Sequence, residues 1–298
     1  MIRGVLRWVG RAASLAAGIY LAFIGVRGSK LLVRPSVRPF VPDPTDAPAS
    51  PADLGLAFES VRFTTDDGVT LAGWFIPSAR DTRTVVVVLH GFSGNRLPEL
   101  AAFVPWLRER HHVLQFDFRG HGESDPGIVT LGTHERRDVA AAVRFVEERG
   151  LGPTALFGVS MGAATAIVAA PELAVAAVVA DAAFAELHHP IASRMRQVGY
   201  PLAAIGSRLI VAGATLRVGS RLIEPINAVA RIAPRALLLI APRDDRLISW
   251  RQSVRLYEAA GEPKELWVVD GAAHAEAYAV EPEEYRSRVL AFLERHLG

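Results

Sequence analysis

From residue 58 onward, apolar and polar positions switch repeatedly between a strand-like and a helix-like period. Residues 58–64 and 69–76 read as strands, joined through Asp66-Asp67-Gly68, a hairpin signal. Residues 84–89 hold four consecutive valines, the unbroken apolar run of a strand buried on both faces. The pattern predicts a helix over 97–109, a strand over 112–116 and a helix over 133–148, with Thr133 as N-cap and Glu135 in its first turn. A short apolar strand at 154–157 precedes an Ala-rich helical stretch at 163–170. Strands at 175–180, 236–240 and 264–269 and a helix at 282–296 complete the series. Such alternation predicts an α/β fold: a mostly parallel eight-stranded sheet with helices on both faces and an antiparallel hairpin at its start.

Two stretches break the pattern. Residues 182–232 form a long insertion between two buried strands, with an apolar helical segment over 202–214. A connection of that length in a compact domain is usually a lid or binding element, so a helical cap is expected. The second stretch is the N-terminus, where Ala12 to Val26 is uncharged and mostly apolar. Arg3, Arg7 and Arg11 precede it, and Arg27, Lys30 and Arg34 follow. Fifteen residues fall short of the roughly 20 that span a bilayer. Snorkelling of the flanking bases and the apolar Leu31-Leu32-Val33 extend the reach. Residues 1–34 are therefore expected to be an uncleaved membrane anchor, with a cleaved leader or a helix lying on the membrane or on the protein as alternatives. No small-x-small cleavage site follows the run, and basic residues on both sides leave the orientation open. Residues 35–57, rich in Pro, Ala and Asp at their start, read as a linker to a domain over 58–298. A chain beginning near Asp53 is accordingly expected to stay folded and active.

Composition narrows the functions open to the domain. Half of the 298 residues are hydrophobic, enough for a large core. The net charge is +2, and the 33 basic residues, of which only Lys30 and Lys264 are lysines, are scattered among acids after residue 58. Without a basic stripe, a nucleic-acid partner is not expected. The absence of cysteine removes disulfides, thiolate zinc sites and cysteine nucleophiles. The histidines and carboxylates form no convincing ligand pair, so neither metal nor cofactor is expected.

Gly158-Val159-Ser160-Met161-Gly162 carries the chemistry. Alone the G-x-S-x-G pattern is weak, but here it joins a strand to a helix, the setting of a nucleophile elbow. A serine hydroxyl needs a base, and the base an orienting acid. Among nine histidines, His274 lies in a small-residue loop after the last strand, at the same sheet edge as the elbow. The acid is expected after the strand 236–240, where Asp244 and Asp245 are adjacent candidates and Asp181 a third. An oxyanion requires donors, for which the backbone N–H groups of Met161 and Phe92 are expected. His90 reads as a packing residue beneath the Phe92 loop.

In the order Ser, Asp, His these residues resemble the α/β-hydrolase superfamily over about residues 58–297. The similarity is greatest to its serine-aminopeptidase-like and lysophospholipase-like branch, many members of which carry an N-terminal membrane helix. The stretch from Thr65 to Phe75 resembles that branch's opening hairpin, and His90-Gly91-Phe92 its oxyanion turn. Asp117 to Ser124 (DFRGHGES) resembles a structural loop of the branch, so His121 is not expected to be catalytic. Where the family has a His-Gly pair before its acid, this chain has Ala241-Pro242, and the family's spacing counted from Ala241 reaches Asp245. The resemblance implies an α/β-hydrolase fold and a Ser160–His274–Asp245 triad that cleaves carboxylic esters or thioesters through an acyl-enzyme. An apolar cap and a nearby membrane point to acyl or lipid-like small-molecule substrates. A serine peptidase and a non-catalytic membrane-tethered binding module are the alternatives.

Overall fold

The computed structural model describes residues 2–42 and 47–298. In chain order the elements are α1 (Ile2–Val33), β1 (Glu59–Thr64), β2 (Thr70–Ile76), β3 (Val85–Leu89), α2 (Leu97–Leu107), β4 (His112–Phe116), α3 (Glu135–Glu148), β5 (Thr154–Val159), α4 (Met161–Ala169), β6 (Ala177–Asp181), α5 (His188–Gln197), α6 (Ala203–Val218), β7 (Ala236–Pro242), α7 (Arg251–Ala259), β8 (Lys264–Val269), α8 (Ala277–Val280) and α9 (Pro282–Leu297). The strands form one eight-stranded sheet in the order β1-β2-β4-β3-β5-β6-β7-β8. Its first two pairings, β1 with β2 and β2 with β4, are antiparallel, and the remaining pairings are parallel.

The valine run does what its composition demands. Val85, Val87 and Leu89 enter one core layer, Val86 and Val88 the other, and all five residues of β3 are fully buried. Parallel strands align their C-terminal ends, so the loops after β3, β5, β6, β7 and β8 all emerge at one edge of the sheet. The 182–232 insertion contributes α5, α6 and two short 3-10 turns, Pro225–Asn227 and Val229–Arg231.

One cap differs from expectation. Thr133 does not cap α3, which begins at Glu135; its Oγ1 accepts the Ile223 N–H at 2.8 Å instead. The Glu135 carboxylate takes over the local donors, accepting from Thr130 N–H, Thr130 Oγ1 and Gly132 N–H at 2.6–2.8 Å. A tertiary partner from the insertion claimed the hydroxyl that local pattern had assigned to the helix.

The N-terminal helix is longer than the apolar run alone suggested, with 32 residues. Arg27 and Lys30 do not interrupt it, because straight-chain bases are good helix formers. At 1.5 Å per residue it is about 48 Å long. Residues 7–33 are long and apolar enough to cross a membrane by length and composition. Exposure varies along and around the helix. Trp8, Leu15 and Ile19 are each more than 60% exposed, whereas Ile24, Ser29, Leu32 and Val33 are buried against the domain. Small residues allow the approach to α6: a Cβ on Gly213 would lie 2.9 Å from Ser29 Oγ and 3.1 Å from the Gly25 carbonyl oxygen. Arg217 donates to Ser29 Oγ and to the Val26 carbonyl, and Tyr20 Oη donates to the Pro201 carbonyl.

Of the stretch expected as a linker, residues 43–46 lie outside the described residues. Residues 38–40 lie on the domain: Arg38 N–H donates to the Ser93 carbonyl and Asn95 Nδ2 to the Pro39 carbonyl. Phe40 and Trp74 each present a ring face to the Arg96 guanidinium, at 4.4 and 4.0 Å. Pro51–Leu54 forms a 3-10 turn, its start fixed by Asp53 Oδ2 accepting from Ser50 N–H. A cut near Asp53 therefore removes packed side chains, contrary to the sequence-based expectation. Each buried Ile, Leu or Val contributes about 1.5–3 kcal/mol, and each lost kcal/mol lowers Tm by about 2–4 °C in a domain of this size. In one detergent, a chain beginning near Gly18 should melt within about 2 °C of the full chain. A chain beginning near Asp53 should melt at least about 10 °C lower, and equal melting of all three would show that α1 adds no stability.

Candidate active site

The turn between β5 and α4 holds Ser160 at φ 55° and ψ −111°, a region that a residue with a Cβ seldom adopts. Two glycines make the turn possible. A Cβ on Gly158 would lie 2.4 Å from the Gly162 backbone, and one on Gly162 would lie 2.1 Å from the Leu89 carbonyl oxygen. Neither contact is survivable, so both positions require glycine. The serine backbone is also tied to the neighbouring strand, Ser160 N–H donating to the Asp181 carbonyl at 2.8 Å. The result is a half-buried hydroxyl at the C-terminal edge of the sheet.

His274 and Asp245 meet that hydroxyl from two other loops. His274 Nε2 lies 3.0 Å from Ser160 Oγ, and His274 Nδ1 lies 2.6 Å from Asp245 Oδ2. The Asp245 side chain is fully buried, and its Oδ1 accepts the N–H groups of Leu247 and Ile248 at 2.7 and 2.8 Å. That turn fixes the carboxylate and leaves one oxygen for the imidazole. Asp244 is exposed, with its N–H spent on the Ala272 carbonyl, so only the second of the adjacent aspartates reaches the histidine. A carboxylate on Nδ1–H leaves Nε2 free to accept from the serine hydroxyl, the tautomer that proton abstraction needs.

Of the two expected donors for an oxyanion, Met161 follows the serine directly and Phe92 lines the same cavity. Met161 is the first residue of α4, and its N–H has no acceptor among the described residues; the same holds for Phe92 N–H. The Phe92 loop is held from beneath by two buried imidazoles. His90 Nε2 accepts from Phe118 N–H at 3.0 Å while its Nδ1 donates to the Gly91 carbonyl at 2.7 Å. His121 Nε2 accepts from Ser93 N–H at 3.2 Å, and its Nδ1 donates to the Arg119 carbonyl at 2.9 Å. Burial, with a smaller repulsion from His121, pushes His90 down to about 3, and burial lowers His121 also. Both rings therefore stay neutral and keep the acceptor that holds the loop. His90 and His121 occupy the structural positions expected of them.

Asp181, the third candidate acid, does not touch His274. It lies at the end of β6, and its Oδ2 accepts from Tyr285 Oη at 2.8 Å. Burial pushes its carboxyl up to about 7, although the Tyr285 hydrogen bond pulls the other way. Sequence reasoning missed Tyr285, which lies on α9 with no local sign of its partner. It also missed Gly28, Leu31 and Leu32 of α1, which line the cavity in front of Ser160. No group of three or more His, Cys, Asp or Glu side chains able to hold a metal occurs among the described residues.

The raised Asp181 carboxyl has a pH consequence of definite sign. Between the ordinary value near 3.8 and about 7 the folded state holds a proton that the unfolded state releases, so stability falls as pH rises through that window. Asparagine cannot release it and still offers Tyr285 an acceptor. The Tm of Asp181→Asn relative to the parent should therefore increase from about pH 5 to about pH 8; a constant offset across that range would contradict the assignment.

Comparison with known proteins places this geometry in a family. Residues 84–204 match the family described as alpha/beta hydrolase fold. The chain is 32% identical over 247 residues to the uncharacterized protein YfhR of Escherichia coli K12, covering 79% of this chain and 80% of that one. It is 28% identical over 288 residues to the uncharacterized protein Rv2307c of Mycobacterium tuberculosis H37Rv, covering 93% and 89%. Among solved structures, the Pyrococcus furiosus esterase Pf2001 is 31% identical and superposes with a TM-score of 0.72 over 84% of this chain and 95% of its own. By its sequence, its eight-stranded sheet and its strand-to-helix serine turn, the chain belongs to the α/β-hydrolase family.

Proposed function

We propose that this protein is a serine hydrolase that cleaves carboxylic esters or thioesters through an acyl-enzyme. The observation that carries the reading is the continuous relay from Ser160 Oγ to His274 Nε2 at 3.0 Å and from His274 Nδ1 to Asp245 Oδ2 at 2.6 Å. His274 takes the serine proton as Oγ attacks the substrate carbonyl, and the imidazolium is stabilised by the buried Asp245 carboxylate. Negative charge developing on the carbonyl oxygen is met by the Met161 and Phe92 N–H groups. Collapse of the tetrahedral intermediate expels the alcohol or thiol, which leaves with the proton from His274. Water then attacks the acyl carbon while giving a proton to His274, and collapse of the second intermediate breaks the acyl–Oγ bond, releasing the acid as His274 returns the proton to Ser160 Oγ. The likeness to an esterase structure supports ester chemistry over a binding module. The apolar lining in front of Ser160, with Phe184, Ile191 and Met195 among its residues, suits an acyl group rather than a charged peptide terminus.

Membrane anchoring by α1 is part of the same proposal. The side of α1 turned away from the domain leaves Trp8, Leu15, Ile19 and Phe23 exposed, a surface for which lipid is the natural covering.

Removal of the nucleophile should be nearly complete in effect: Ser160→Ala should lower kcat on p-nitrophenyl acetate by several orders of magnitude without lowering Tm. Retained turnover near the parent rate would refute the assignment. The adjacent aspartates provide a sharper discrimination. Loss of the orienting carboxylate costs roughly 10⁴ in turnover in the serine-protease precedent. Asp245→Asn should be impaired on that scale, whereas Asp244→Asn should stay within about tenfold of the parent kcat/KM. The reverse ranking would transfer the role to Asp244.

A further inference from the structure

The cavity in front of Ser160 holds about 480 Å³, within the usual range for a small-molecule site. Its lining comes from three sources. The hydrolase loops supply Ser160, Met161 and Phe92, and the insertion supplies Met195 of α5 and Ile210 of α6. The third source is α1, through Gly28, Leu31 and Leu32. These three stand at i, i+3 and i+4, the spacing of one helix face, so a single stripe of α1 borders the cavity.

That stripe is fixed in place. A Cβ on Gly28 would lie 2.6 Å from Ile210 Cδ1, and one on Gly25 would lie 3.3 Å from Leu209 Cβ. Glycine at these positions leaves room for the Leu209 and Ile210 side chains of α6 to pack directly on the α1 backbone. The hydrogen bonds from Arg217 to Ser29 and Val26, and from Tyr20 to Pro201, hold the contact from two sides. Helix α1 is thus built into the insertion, and an anchor with no other task would need none of this. Leu32 is buried, while Leu31 borders the cavity and is 52% exposed, so the cavity opens beside the last turns of α1. Arg27, Lys30 and Arg34 stand at that level, the basic residues that mark a membrane–water boundary.

We propose that α1 forms a wall of the acyl-binding site. The acyl chain of a bound ester extends from Ser160 along a lining to which Gly28, Leu31 and Leu32 of α1 contribute together with Met195 and with Ile210, which is itself in contact with Gly28. The substrate class that fits is a long-chain acyl ester drawn from the bilayer that α1 enters, its polar part left at the level of Lys30. This rests on the serine-hydrolase reading and extends it, because it assigns substrate selection to the N-terminal helix.

The test is carried out on the full chain in detergent. Leu32→Trp fills the cavity from the α1 side, and Leu31→Trp does so from a half-exposed position that tolerates a larger side chain. The ratio of kcat/KM for p-nitrophenyl decanoate to that for p-nitrophenyl acetate should fall at least about tenfold in a folded variant. A ratio within about twofold of the parent in every variant that folds overturns the proposal. A second readout needs no turnover. Decanoic acid bearing a terminal diazirine, photolysed on the parent protein, should label residues 28–32 together with Met195 or Ile210, and excess decanoic acid should suppress the labelling. Labelling confined to other residues, or unaffected by competitor, overturns the proposal. A parent that turns over no ester refutes the hydrolase reading instead, and the crosslinks then still decide whether α1 borders an acyl site.

Discussion

The geometry of the whole site depends on one strained turn. Ser160 sits at φ 55°, and holding such a residue costs of order 1–3 kcal/mol, so the surrounding structure must over-determine it. It does so through backbone contacts that only glycine permits. Gly162 lies against the Leu89 carbonyl at the end of β3, Gly158 lies against Gly162, and the Ser160 N–H is taken by the Asp181 carbonyl at the end of β6. Three adjacent strand ends are thereby locked to one another at the point where the hydroxyl emerges. The same turn starts α4, so the Met161 N–H points out of a helix N-terminus beside the serine without any further device.

Around that fixed point, the acid and the two imidazoles under the Phe92 loop are positioned by burial and hydrogen bonds. Asp245 spends one oxygen on two backbone N–H groups and the other on His274, which leaves the ring no alternative orientation. The Phe92 loop rests on His90 and His121, whose burial suppresses protonation and so preserves the acceptor nitrogens on which the loop hangs. A buried guanidinium completes the support. Arg96 pairs with Asp117 and is enclosed by Phe40 and Trp74, so residues 38–40 are joined to the same loop system as the site.

What could be read from the sequence was what local pattern encodes. The unbroken valines gave a strand buried on both faces, the Asp-Asp-Gly turn gave the antiparallel start, and the order of loops brought His274 to the serine's edge of the sheet. The residues alone left Asp244 and Asp245 open; the family's spacing counted from Ala241 pointed to Asp245, and it is Asp245 Oδ2 that lies against His274 Nδ1. What could not be read were partnerships between distant segments. Thr133 was taken by Ile223, ninety residues away, and Asp181 by Tyr285, 104 residues away. The α1–α6 contact joins segments more than 180 residues apart, as the Tyr20 to Pro201 bond illustrates. Its one visible sign was the set of small residues Gly25, Gly28 and Ser29 on α1 facing Gly213 on α6, a composition that permits close helix approach. Hydropathy made the stretch an anchor first and a helix on the protein only as an alternative, because it carries no information about which face meets protein; here part of α1 packs on α6.

The claim on which everything else rests is that Ser160 is the nucleophile. It is tested most directly by treating the full chain with a fluorophosphonate and locating the adduct by mass spectrometry of its peptides. The geometry predicts one phosphonyl group per chain, on the Ser160 side chain, formed in step with loss of esterase activity. A protein that hydrolyses esters yet carries the label on another residue, or loses activity with Ser160 unmodified, would contradict it.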